Sequence, residues 1–188
     1  MFLVEKKTII LYNYLLYDIY RKFIWEDSMI LDKENINIVL YQPEIPQNTG
    51  NIVRTCVLTN SKLHLIRPLG FEVTDKQLRR AGLDYWKDAD IAYYDSFLEL
   101  REKFKDRTFY YSTTKATKYY DEVKFKQGDF IVFGRESSGL PDEIRDREPE
   151  NLIRIPMVKT SLRSLNLSNT VSIVSYEATR QIGFPNMK

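Results

Sequence analysis

The chain has 188 residues, 43% of them apolar and 29% charged, the composition of one folded domain with room for a short appendage. Lys and Arg number 28 against 26 Asp and Glu, a net charge of +2 that excludes a polybasic tail and an acidic disordered chain. One cysteine (Cys56) and one histidine (His64) exclude a disulfide framework, a multi-cysteine zinc cluster and a multi-histidine metal centre, and they fit a reducing compartment.

Residues 1–35 stand apart in composition, with five basic and six acidic side chains, no Gly and no Pro. Their most apolar run, Thr8 to Tyr17, is ten residues long and contains Asn13. A spanning helix needs about 20 apolar residues, so no membrane anchor is expected. Lys6 and Lys7 precede the run, but no small-residue cleavage site follows it, which argues against secretion and for a cytoplasmic location. Two readings stay open for this stretch: an amphipathic helix packed on the domain or a partner, or residues upstream of a natural start at Met29.

From Ile36 onward, short apolar runs alternate with segments of helical spacing. Ile36–Tyr41, Lys62–Ile66, Ile91–Tyr94, Thr108–Tyr111, Phe130–Phe133 and Leu152–Ile155 are predicted strands, the last ended by Pro156. A helix is predicted from Asn48, taken as its cap, through Ile52, Cys56 and Thr59. Further helices are expected at Thr74–Ala81, at Ser96–Phe104, and from about Ser168 to Ile182, where Val171, Val174, Ser175, Ala178, Thr179 and Ile182 share one face. Strands alternating with helices predict an α/β domain with a mainly parallel sheet.

Common catalytic signatures are missing. There is no G-x-G, no phosphate-binding P-loop, no G-x-S-x-G, and no second histidine for a hydrolase relay. Cys56 lies mid-helix on the apolar side and reads as a buried structural thiol. His64 alternates with Leu63 and Leu65 and reads as a structural histidine.

Three constellations remain. In Pro43–Arg54, two prolines and a glycine make a rigid loop before a helix, with Arg54 one turn inside it, able to aim its fork at a phosphate or a developing oxyanion. In Phe130–Pro141, a hydrophobic strand runs into Gly134, Glu136, Gly139 and Pro141, where backbone can approach a ligand closely. In Ile153–Met157 and Arg163–Asn169, the short polar groups Ser164, Asn166, Ser168 and Asn169 gather at a helix entrance.

In this order, N-T-G-N-I-x-R-T, F-G-x-E-x-x-G-L-P and R-S-x-N-L-S-N resemble the three motifs of the SPOUT-class RNA 2′-O-methyltransferases, in particular the small SpoU-type group that modifies the wobble position of tRNA. The resemblance runs from about Ile36 to Phe184, includes Leu78–Tyr85, and divides the chain into an extension (1–35) and a methyltransferase domain (36–188). Val158–Arg163 is one residue longer than the group's usual loop.

The resemblance implies a mainly parallel α/β sheet flanked by helices, with a C-terminal deep trefoil knot. It implies S-adenosylmethionine as cofactor, and a homodimer with active sites built from both subunits. By matching positions, Ser112, Gly134, Glu136, Ile155, Met157, Ser164 and Leu165 would hold the cofactor, mainly through backbone groups. Arg54 would stand at the ribose 2′-hydroxyl, with Asn51, Ser164, Asn169 and Tyr176 around it. A guanidinium keeps its proton at physiological pH, so Arg54 is expected to act as a fixed cation beside the oxyanion rather than as a base.

Lys76, Arg79 and Arg80, with Tyr85 and Trp86 nearby, are candidate RNA contacts. The implied reaction is 2′-O-methylation of cytidine or a modified uridine at position 34. The alternatives are the same reaction at another tRNA or rRNA nucleotide, or a catalytically silent RNA-binding module. The lack of an added RNA-binding domain favours the wobble enzyme, and the joint presence of Arg54, Glu136, Ser164 and Asn169 argues against the silent module. Neither a metal nor a membrane is expected.

Overall fold

Among the described residues, runs rich in Ile, Leu, Val, Phe and Tyr form six strands: β1 (Asn37–Tyr41), β2 (Lys62–Ile66), β3 (Ile91–Tyr94), β4 (Phe109–Ser112), β5 (Phe130–Phe133) and β6 (Leu152–Ile153). The computed structural model describes residues 34–72, 83–160 and 163–188. The helix expected at Thr74–Ala81, with Lys76, Arg79 and Arg80, and nearly all of the N-terminal stretch lie outside the described residues.

The strands form one sheet in the order β3-β2-β1-β5-β4-β6, and every neighbouring pair is parallel. Among the described residues four helices accompany them: α1 (Pro46–Leu58), α2 (Phe97–Lys103), α3 (Asp142–Arg145) and α4 (Leu167–Gln181). Two 3-10 turns, Leu83–Lys87 and Pro149–Asn151, were not foreseen from the sequence.

Side chains alternate across each strand, so the sheet buries two separate faces. Ile38, Leu40, Leu63, Leu65, Ile131 and Phe133 meet Ile52, Val53 and Cys56 of α1 and Val171, Val174 and Ala178 of α4. Val39, Ile66, Phe109, Tyr111, Phe130 and Val132 meet Phe97 and Leu100 of α2 on the other face. Each fully buried side chain of this size contributes about 1.5–3 kcal/mol. A hydroxyl contact between Thr55 and Ser172 (3.1 Å) adds a polar tie between α1 and α4.

The lone histidine and cysteine belong to this core. His64 is fully buried. The Asn37 side-chain carbonyl, 2.9 Å from its Nε2, can only accept, so Nε2 carries the proton and Nδ1 accepts from the Tyr94 hydroxyl at 3.1 Å. Burial lowers the imidazole pKa to about 3 and pushes the Cys56 thiol up to about 12, so neither is poised for chemistry.

Two boundaries correct the sequence expectations, and a third, at α4, agrees with them. Asn48 does not cap α1. The helix starts two residues earlier, with Ile45 at the cap position and Pro46 in the first turn, where the missing N–H costs nothing. At α4 the cap is Asn166, whose side-chain oxygen accepts from the amides of Ser168 and Asn169. The last strand ends at Ile153 rather than Ile155, because β4 ends at Ser112 and Arg154 pairs elsewhere.

That change of partner places residues 152–154 inside a turn of the chain. On one side the Thr113 amide donates to the Ile153 carbonyl (2.9 Å). On the other, Arg154 donates to the Lys118 carbonyl (3.0 Å), and its own carbonyl accepts from the Tyr120 amide (2.9 Å). The connection between β4 and β5 thus flanks β6 on both sides.

Candidate active site

Three loops meet at the C-terminal ends of the central strands, where ligands bind in open parallel sheets. The first follows β1, the second follows β5, and the third joins β6 to α4. With the segment after β4, the second and third loops enclose a cleft of about 480 Å³, within the size range of small-molecule sites.

All seven residues expected to meet the cofactor line this one cleft: Ser112, Gly134, Glu136, Ile155, Met157, Ser164 and Leu165. Phe133, Leu140 and Leu167 add apolar surface, and Thr113, Ser137 and Ser138 add hydroxyls.

The loop after β5 is held by a close backbone crossing. Arg135 and Gly139 exchange both amide-to-carbonyl hydrogen bonds, at 3.1 and 2.9 Å. A Cβ on Gly134 would lie 2.1 Å from the Gly139 carbonyl carbon and 2.3 Å from the Leu140 nitrogen, so only glycine fits there. Gly139 itself sits at φ +71°, and a Cβ on it would meet no protein atom within 4 Å. Its backbone is open to close approach by a ligand.

Glu136 lines the cleft, but its carboxylate is turned to the β1–α1 loop. It accepts from the amides of Glu44 (2.8 Å) and Ile45 (3.2 Å) and from the Asn48 side chain (3.0 Å). Glu44 reciprocates, accepting from the Ser137 amide and hydroxyl at 2.9 and 2.8 Å, contacts that hold its carboxyl below the usual range. Asn48 then accepts from the Asn166 side chain (2.9 Å), and Asn166 caps α4. One hydrogen-bonded relay, Glu136–Asn48–Asn166, therefore joins all three motifs. Asn48 and Asn166 are the site residues that sequence reasoning under-read. For Asn48 the signal was an amide buried in the first turns of a helix, which must find a partner elsewhere in the chain; Asn166 is the exposed cap residue at the entrance of α4.

The residues expected around the 2′-hydroxyl are not all together. Ser164 is on the cleft, whereas Arg54, Asn51, Asn169 and Tyr176 are exposed on α1 and α4 and do not line it. Among the described residues Arg54 makes no hydrogen bond or ion pair, and its guanidinium lies over the Tyr85 ring, 4.7 Å from the centroid. Tyr85, expected to face RNA, has one ring face taken by that guanidinium. Among the described residues no cluster of His, Cys, Asp and Glu could hold a metal ion, and no helix is long and apolar enough to cross a membrane.

Residues 35–176 match the SpoU rRNA methylase family. Over 151 residues the chain is 49% identical to the tRNA (cytidine(34)-2′-O)-methyltransferase of Escherichia coli strain K12, covering 80% of this chain and 96% of that one. It is 51% identical over 156 residues to the protein of the same description from Saccharophagus degradans, covering 81% and 99%. A solved structure described as giving insight into 2-OH methylation of C/U34 on tRNA superposes with a TM-score of 0.72 at 43% identity, covering 80% and 97%.

Proposed function

This chain belongs to the SpoU rRNA methylase family, and we propose that it uses S-adenosylmethionine to methylate the ribose 2′-hydroxyl of the wobble nucleotide of tRNA, cytidine or a modified uridine at position 34. The observation that carries the reading is the convergence of all seven cofactor positions on one cleft. The extension (1–35) then stands outside the methyltransferase domain (36–188), the enclosure of residues 152–154 corresponds to the trefoil crossing, and the enzyme works in the cytoplasm.

The cleft suits the cofactor. Its apolar residues Leu140, Ile155 and Leu165 offer a surface for a base, the hydroxyls of Ser112 and Ser164 offer polar contacts, and Gly139 leaves main chain uncovered. When bound, S-adenosylmethionine supplies a methyl group already activated by its sulfonium. The protein's task is to hold the 2′-oxygen in line and to stabilise negative charge on it as its proton passes to water or an RNA phosphate. Arg54 is the fixed cation for that charge, with Asn51, Asn169 and Tyr176 orienting the nucleotide.

Because Arg54 does not line its own chain's cleft, a second copy supports the site best: a homodimer in which one subunit's cleft meets the other's Arg54. Exposed Leu58 (55%), Ile173 (38%) and Tyr176 (45%) on α1 and α4 provide apolar surface for such a contact. The tRNA would be gripped by Lys76, Arg79 and Arg80, whereas Tyr85 has one ring face taken by Arg54.

The test is transfer of labelled methyl from S-adenosylmethionine to unmodified tRNA, followed by nucleoside mapping. Label at the 2′-oxygen of position 34 is expected, and label elsewhere or none overturns the proposal. Arg54→Lys should lose most turnover while keeping affinity for S-adenosylhomocysteine; near-normal turnover would remove Arg54 from its role.

A further inference from the structure

The contact beneath Arg54 has a use that RNA stacking does not explain. Tyr85 sits in the 3-10 turn Leu83–Lys87, half-buried, with its body packed on the core face shared by α1. Its ring is therefore a fixed surface, and the Arg54 guanidinium lies on it at 4.7 Å, well inside the ~6 Å range of a cation–π contact. A carboxylate could also fix an exposed arginine, but it would consume N–H donors and cancel the charge needed at an oxyanion. An aromatic face does neither. It engages the guanidinium plane, sets the direction of the fork, and leaves the edge N–H groups free to donate.

We propose that Tyr85 is the positioning residue for Arg54: its ring holds the guanidinium plane so that the donor edge is presented to the substrate's 2′-oxygen. The inference rests on the reading of Arg54 given above. It assigns Tyr85 to turnover rather than to RNA affinity. The hydroxyl makes no hydrogen bond among the described residues, so the ring alone matters and phenylalanine should serve.

The experiment is steady-state methylation of unmodified tRNA by Tyr85→Leu, Tyr85→Phe, Arg54→Ala and the Tyr85→Leu/Arg54→Ala double variant, with tRNA and S-adenosylhomocysteine affinities measured in parallel. Tyr85→Leu should lower kcat on the order of 10- to 100-fold, the scale of a misplaced catalytic group. Its tRNA KM and cofactor affinity should stay within about twofold, a change too small to count as lost binding. Tyr85→Phe should keep most of kcat. In the Arg54→Ala background Tyr85→Leu should add no further loss, because the two act as one unit.

Losses that multiply in the double variant, or a raised tRNA KM at normal kcat, would overturn the proposal while leaving Arg54 in place. An Arg54→Ala enzyme with normal kcat would overturn both. Should Tyr85→Leu fail to fold, NMR of the wild-type protein decides: the Arg54 side-chain signals should be shifted upfield by the ring, and random-coil positions would sink the proposal.

Discussion

Replacing Gly134 by alanine tests the backbone crossing that shapes the cleft. The added methyl would lie 2.1 Å from the Gly139 carbonyl carbon, 2.3 Å from the Leu140 nitrogen and 2.5 Å from the Gly139 oxygen. Ordinary contact begins at 3.4 Å, so the two strands of backbone must separate by 1.3 Å. None of these atoms is the end of a flexible side chain, so the loop must open as a whole. That separation breaks the paired Arg135–Gly139 hydrogen bonds, each contributing about 0.5–1.5 kcal/mol. Overpacking adds about 1–3 kcal/mol. The expected loss is therefore about 2–6 kcal/mol, from two bonds plus packing strain.

Gly139→Ala is the matched control. It meets no neighbouring atom and should cost only the 1–2 kcal/mol or so of placing a side chain in left-handed backbone. Urea unfolding reads the stabilities, and calorimetry with S-adenosylhomocysteine reads the cleft. Gly134→Ala should be the less stable of the two and should lose cofactor binding. Equal stabilities, or intact binding by Gly134→Ala, would refute the reasoning.

Three further outcomes are expected. Asn166→Ala removes the α4 cap and orphans the Asn48 carbonyl, so urea unfolding should show a loss of about 2 kcal/mol, with less than about 0.5 counting against the relay. His64, with a folded pKa of about 3 against an ordinary 6.5, stays neutral in the native state while the unfolded chain takes up its proton below pH 6.5. Stability should therefore fall as pH drops from 6.5 towards 3, by about 2 kcal/mol between pH 7 and 5, and His64→Gln should abolish that component in unfolding curves at the two pH values. Arg79→Glu/Arg80→Glu should weaken tRNA binding and flatten the plot of log affinity against log salt by about one unit per lost phosphate contact; an unchanged slope would clear both residues of RNA contact.

Strands were legible because their signal is local. Lys62–Ile66, Ile91–Tyr94 and Phe130–Phe133 fall on the expected residues, since apolar runs of this length have few other uses in a parallel sheet. The cap of α1 was misread because Asn is the usual capping type, yet Pro46 two residues earlier already starts a helix. Asn48 instead bonds to residues 88 and 118 positions away, a relation that no local pattern contains. The direction of the Glu136 carboxylate was hidden for the same reason. The residues that line the cleft, by contrast, follow from the motif resemblance, and periodicity alone would not have joined Ser112 to Ser164.

The flanking of residues 152–154 by a single connection bears on how the protein comes into being. Met157, Ser164 and Leu165 follow in the chain directly after that stretch, which is seated between Thr113 on one side and Lys118 and Tyr120 on the other. A nascent chain halted before it lacks the residues that close one wall of the cleft and the helix that covers one face of the sheet. The capacity to bind thus depends on the last third of the chain to be synthesised.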